Sequence, residues 1–170
     1  MSDLKDKHVI SILVDNEFGA LARIVSLFSA RGYNIENLSV AVVDEKQKLS
    51  RVTITTYGSQ TVIDLILKLL NRLIPVHKAV DFSMTTPHIE RSLALIKINN
   101  NNDEKKLDEI LRMAKLHKAE MIEKENDYLI FEIMDEPNRI DVFIKLLEPF
   151  GVIEVTRTGP AAIALSAESM

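Results

Sequence analysis

The feature that most narrows the fold of this chain is a six-element pattern that occurs twice in its 170 residues. His8 to Val14 is a short apolar run with β-branched residues and reads as a strand. Asp15-Asn16-Glu17-Phe18-Gly19 interrupts it. Leu21, Ile24, Val25 and Phe28 then fall at i, i+3, i+4 and i+7, the spacing of a helix with one buried face. Gly32 is suited to the left-handed position past that helix. Ile35 to Val43 reads as a second strand, Asp44 to Lys48 as a charged turn, and Leu49 to Thr56 as a third strand. Val62, Leu65, Ile66, Leu69, Leu70 and Leu73 mark a second helix, which Pro75 ends, and Val76 to Phe82 is a fourth strand.

The second half repeats the order. Leu93 to Ile98 is a strand, Asn99 to Asp103 a polar loop, and Leu107, Ile110, Leu111 and Ala114 a helical stripe. Ala119 to Glu123 and Tyr128 to Met134 flank a turn at Glu125-Asn126-Asp127. Pro137 sits near a helix start, where its missing N–H costs least. Ile140, Phe143, Ile144 and Leu147 carry that helix, Pro149 ends it, and Val152 to Val155 begins the last strand. The expected fold is α+β: two ferredoxin-like βαββαβ domains, each an antiparallel four-stranded sheet with two helices on one face. Boundaries are expected at 7–82 and 91–165, with 83–90 as linker. Strands such as Val9 to Val14 and Ile35 to Val43 carry apolar residues of both parities, so both sheet faces should be covered. One helical layer cannot do that, which points to a homodimer.

Composition narrows the function. Net charge is -4, against the basic face of a nucleic-acid binder. No apolar run is long enough for a bilayer, and no basic-then-apolar leader is present, so the expectation is a cytoplasmic protein with no membrane partner. With no cysteine, disulfides, thiolate catalysis and Cys-based metal sites drop out. His8, His77, His88 and His117 are scattered without metal-ligand spacing and read as surface or strand-edge residues. There is no Gly-x-Ser-x-Gly elbow and no Walker-type loop, and 5 glycines leave little for a phosphate cradle. Asn37-Leu38-Ser39 matches a glycosylation triplet, discounted without a secretory leader. Neither catalytic residues nor a metal site is expected.

One segment has binding chemistry: Asp15 to Leu21, between the first strand and the first helix. A helix start presents unpaired N–H groups and partial positive charge, which suit a carboxylate. Gly19 lets a ligand approach the backbone, and Asn16 offers a donor and an acceptor. The same two residues also suit a plain helix cap and turn.

At this segment the sequence resembles an ACT domain, a βαββαβ module that binds amino acids in metabolic regulators. His8-Val9-Ile10-Ser11-Ile12-Leu13-Val14-Asp15-Asn16-Glu17-Phe18-Gly19-Ala20-Leu21-Ala22-Arg23 is similar to the opening of the acetolactate synthase small subunits. Leu27 to Leu38, Leu49 to Ile54, Glu90 to Lys97 and Pro149 to Gly159 are similar to further stretches of that family, in the same order. The resemblance implies a non-catalytic regulatory subunit that activates a separate catalytic large subunit and confers feedback inhibition by valine or another branched-chain amino acid. It implies dimerisation through the ACT domains, with the amino acid at the interface. Asn16, Gly19, Ala20 and Leu21 match ligand positions on one subunit; Asn34, Ile35 and Ser39 match positions on the facing one. No cofactor is implied in this chain; thiamine diphosphate, FAD and Mg²⁺ belong to the catalytic partner. Phe18 stands where many relatives have Pro, and Pro160 to Leu165 extends the usual ending. A second reading is an ACT-type sensor of a different biosynthetic enzyme. A stand-alone enzyme on this scaffold lacks a nucleophile or acid–base pair.

Overall fold

The computed structural model describes residues 6–85, 87–100 and 103–166. The chain packs as two compact units. Among the described residues, one unit contains those up to Ile89 together with Gly159 to Ser166, and the other lies within Glu90–Thr158.

In the first unit the order is β1 (Asp6–Asp15), α1 (Ala20–Ser29), β2 (Asn37–Asp44), β3 (Leu49–Gly58), α2 (Gln60–Leu70) and β4 (Val76–Asp81), followed by the short α3 (Phe82–Thr85). The sheet runs β2-β3-β1-β4 with antiparallel pairs throughout. Ile10, Ile12 and Val14 of β1 alternate onto the helical face, where they meet Ile24 and Phe28 of α1 and Ile63, Ile66 and Leu70 of α2. Each large aliphatic or aromatic side chain buried there contributes roughly 1.5–3 kcal/mol of transfer free energy. α1 closes in a Schellman pattern: Tyr33 N–H donates to Phe28 O at 3.1 Å and Gly32 N–H to Ser29 O at 3.1 Å, with Gly32 at φ 68°.

α2 stops at Leu70, short of the expected Leu73. Asn71 is the cause. Its side-chain amide donates to Leu67 O at 2.9 Å and to Ala79 O at 3.1 Å, and its Oδ1 accepts from Ala79 N–H at 2.9 Å. One side chain thus ends the helix and fixes it to β4.

The second unit holds nearly all of β5 (His88–Asn99), then α4 (Glu104–His117), β6 (Glu120–Lys124), β7 (Tyr128–Asp135), α5 (Pro137–Leu147), a 3-10 turn at Glu148–Phe150 and β8 (Val152–Arg157). Sheet order is β6-β7-β5-β8. Its core is Ala94, Ile96 and Ile98 against Leu129, Phe131 and Ile133, capped by Ile110, Ala114, Ile140, Phe143 and Leu147. Both halves therefore have the expected ferredoxin-like order.

Two segments differ from the sequence reading. The stretch read as linker, 83–90, includes most of α3 and the start of β5, with Thr86 outside the described residues. The end of the chain forms an unexpected strand, β9 (Ala161–Ala164), hydrogen-bonded to β5, and it belongs to the first unit. Ala162 is buried with Val9 and Phe82, and Leu165 N–H donates to Pro87 O at 2.7 Å. Val9 lies on the face of β1 away from the helices. Its cover includes the chain's own Phe82 and Ala162, so β1 alone is weaker evidence for a second copy than its composition suggests. β2 is different: Val40, Val42 and Val43 remain 44%, 51% and 50% exposed.

Candidate functional site

The loop between β1 and α1 is pinned at both sides. Asp15 N–H donates to Pro75 O at 2.8 Å, and its carboxylate lies 2.6 Å from His77 Nε2. Asn16 N–H donates to Lys48 O at 2.6 Å, tying the loop to the β2–β3 turn. The side chain of Asn16 is left facing solvent.

Gly19 is the N-cap of α1 at φ 83°, ψ −4°, a left-handed conformation that favours glycine. A Cβ built there meets nothing within 4 Å, so backbone conformation and not crowding selects glycine, and the space around it is open. No side chain caps α1 and its first turn has no acidic residue. The helix therefore begins with N–H groups and a positive dipole end unmatched by side-chain charge, an arrangement that accepts a carboxylate. Ala20 is buried beneath it and Leu21 is partly exposed beside it. Arg23 pairs with Glu17 at 2.8 Å, both about half exposed. Such a pair adds no more than about 1 kcal/mol of stability. The pair offsets the Glu17 charge, which lies three residues before the first residue of α1. Phe18 stands fully exposed next to Gly19.

Asn34, Ile35 and Ser39 are elsewhere. Thr56 Oγ1 donates to Asn34 O at 2.7 Å, and Thr56 pairs with His8 across the sheet. Asn34 is thus level with His8, whereas Asn16 lies beyond the other end of β1. At roughly 3.4 Å per residue, about 25 Å of strand separates them. Ser39 is level with Ser11 through Thr53, still far from the loop. An amino acid spans only about 4 Å along its main chain. Within one chain, then, the structure brings Asn16, Gly19, Ala20 and Leu21 together, and Asn34, Ile35 and Ser39 near one another, but does not join the two sets. Asn34 Nδ2 donates to Glu36 Oε1 at 2.6 Å, Ile35 packs on the core, and Ser39 Oγ donates to Pro160 O at 2.7 Å.

The equivalent loop of the second unit is closed. Asp103 caps α4, accepting from Lys105 N–H at 3.0 Å and Lys106 N–H at 3.4 Å, and Glu104 adds a second acidic group in the first turn. Asn100 donates to Glu125 O at 2.6 Å; Asn101 and Asn102 lie outside the described residues.

Sequence reading missed two partners of the site. His77 sits 62 positions from Asp15, and Pro160 lies 121 from Ser39, separations at which no local pattern can signal contact. The surface or strand-edge reading of the histidines also needs correcting at His8. It is buried, with Nδ1 2.6 Å from the buried Asp81 carboxylate; its neighbours on β1 are apolar, which conceals the polar partner. His117 packs against Phe143 with ring centroids 5.3 Å apart. Among the described residues, no group of three His, Asp or Glu side chains is placed to hold a metal, and no helix is long and apolar enough to cross a membrane.

Two family profiles match the chain. One, for the "AHAS small subunit-like ACT domain", covers residues 10–78; the other, "Small subunit of acetolactate synthase", covers residues 91–166. An acetolactate synthase small subunit from Aquifex aeolicus is 40% identical over 157 residues, spanning 92% of this chain and 80% of that one. A probable acetolactate synthase small subunit from Archaeoglobus fulgidus is 35% identical over 157 residues, spanning 92% and 96%. The crystal structure of the acetolactate synthase small subunit from Thermotoga maritima superposes with a TM-score of 0.82 at 29% identity, covering 96% of this chain and 99% of that one. Profiles over both halves, relatives along nearly the whole length and a matching two-unit structure lead to one assignment: the chain belongs to the acetolactate synthase small-subunit family.

Proposed function

We propose that this chain is a regulatory subunit that binds a branched-chain amino acid, valine in the first instance, at a site completed by a second copy, and so controls the catalytic subunit of acetolactate synthase. The observation that carries the reading is the pairing register. The loop set lies beyond one end of the sheet, Asn34 and Ile35 near the other end and Ser39 level with the middle of β1, so one small ligand can meet both sets only if they come from different chains.

β2 supplies the means. It is an edge strand, hydrogen-bonded to β3 on one side, with exposed Val40, Val42 and Val43. An unpaired edge of this kind is a template for another strand. Asp44 at its end is level with Asp15 through Leu49, whereas Asn37 at its start is level with Val9 through Thr55. Two-fold antiparallel pairing of β2 with its copy would set the start of one β2 beside the end of the other. That brings Asn34 to Ser39 of one protomer towards the Asn16 to Leu21 loop of its partner. The ligand carboxylate would take the open N–H groups of α1, and its ammonium the oxygen acceptors of Asn16, Asn34 and Ser39.

The ACT half, 7–82, would then bind and dimerise, and the second half, 91–165, would transmit the response. Thiamine diphosphate, FAD and Mg²⁺ chemistry belongs to the catalytic partner in this scheme. The test is calorimetric titration of the full chain with valine, leucine and isoleucine, followed by assay of the catalytic subunit with and without the chain and effector. Expected are effector binding at one site per protomer, no turnover of pyruvate by the chain alone, and activation that valine reverses. Binding of none of the three amino acids would refute the reading.

A further inference from the structure

The C-terminal segment 159–165 is a strap on the first unit, attached at three places. Gly159 lies against the backbone of β2, so closely that a Cβ there would stand 2.6 Å from Leu38 O and 3.1 Å from Ser39 N. Ala162 is buried against Val9 and Phe82. Leu165 N–H donates to Pro87 O. Between the first two anchors, Pro160 O accepts the hydroxyl hydrogen of Ser39 at 2.7 Å.

A serine hydroxyl has one hydrogen and two lone pairs. Free to rotate, it is donor or acceptor as the ligand requires. Here its only hydrogen is committed to a carbonyl held by the strap, so what it presents elsewhere is acceptor alone. An amino-acid ammonium is a pure donor, whereas a carboxylate is a pure acceptor. We propose that the strap presets Ser39 as an acceptor for the effector's ammonium, which makes Pro160 a positioning residue of the effector site and couples effector occupancy to docking of the chain's end. The proposal rests on the effector-site reading above and adds its regulation. It gives the strap a role that its packing alone does not, and by linkage a bound effector must hold the strap more firmly.

The test is a double-mutant cycle in the full chain, read by calorimetric titration with L-valine. Gly159→Ala forces the strap off β2, and Ala162→Asp dislodges it at a second anchor should the first variant fail to fold. Either change should weaken valine by about threefold, because a freed hydroxyl divides among three staggered rotamers and only the pre-set one is kept in the bound state. Ser39→Ala removes the acceptor itself and should weaken it about tenfold, and combining it with either strap variant should add little. Saturating valine should also slow amide exchange of residues 161–165 in the unaltered chain. Strap variants that leave valine affinity unchanged or tighter, losses that add in full, or strap exchange indifferent to valine would overturn this inference alone. An unaltered chain that binds none of valine, leucine or isoleucine would overturn the effector-site reading and this inference with it.

Discussion

The strand–helix loops of the two units occupy the same place in the same fold and start their helices in opposite ways. At Gly19 the chain turns left-handed, no side chain caps α1, and the space around it is open. At Asp103 a carboxylate from the chain itself takes two N–H groups of α4. An internal carboxylate in one loop thus fills the position that an external one would take in the other. One repeat thus leaves a helix start open while its copy fills the same position from within, without any change of topology.

Putting a carboxylate into the first loop should have the largest effect. Gly19→Asp places a negative charge where the effector's carboxylate would sit, and the helix dipole favours the internal charge. Valine affinity should fall by more than about 100-fold, a loss of at least two charge-assisted hydrogen bonds. The fold should persist, because the new Cβ meets nothing, at a cost of about 1 kcal/mol for the left-handed backbone. A folded variant with unchanged valine titration would place the ligand elsewhere. Asn16→Ala is the milder form: about 10- to 100-fold weaker binding from one lost hydrogen bond, with thermal stability little changed.

The reciprocal operation on the second loop should touch stability and not binding. Asp103→Ala removes a cap worth about 1 kcal/mol, so the melting temperature should fall by a few degrees while valine affinity holds. Loss of affinity in this variant would mean that the two loops are not independent.

Asp135, the last residue of β7, gives the second unit a pH signature. Burial by itself raises its pKa, but the Glu136 N–H, Arg139 and Arg91 outweigh that and hold it below the ordinary carboxylate value. A depressed folded pKa stabilises the protein above the unfolded value of about 4, and that stability is lost as pH falls through the folded pKa. The unaltered chain and Asp135→Asn should therefore differ most in melting temperature near neutrality and converge in acid. The smallest effect is expected at Lys118, which ends α4 at φ 57°. Lys118→Gly should stabilise by no more than about 1 kcal/mol.

Much of the fold was legible because its signals are local. Ile10, Ile12 and Val14 alternate, Leu21 to Phe28 follow the helical period, and Gly32 and Pro137 punctuate helices as their backbone chemistry requires. The grouping of the loop residues is legible for the same reason, since Asn16 and Gly19 lie three residues apart. What escaped was set by tertiary partners. Asn71 shortens α2 through a bond to Ala79, and segment 159–165 follows the second repeat in sequence although its Ala162 packs with Val9 and Phe82. A fragment ending near Met84 would lack that cover, so tests of the first unit are better made in the full chain.

The proposed shared site is open to a subunit-mixing experiment. Asn16→Ala and Asn34→Ala proteins are prepared separately, combined, allowed to exchange protomers, and titrated with valine. Each variant alone has every site damaged on one side. In a mixed dimer one site collects both changes and the other none. Random exchange puts half of the protomers' pairs in mixed dimers, so about a quarter of all sites should regain native affinity, as a two-fold shared interface requires. If protomer exchange is demonstrated and no native-affinity sites return, both residues act within one chain or not at all, and the shared site is contradicted.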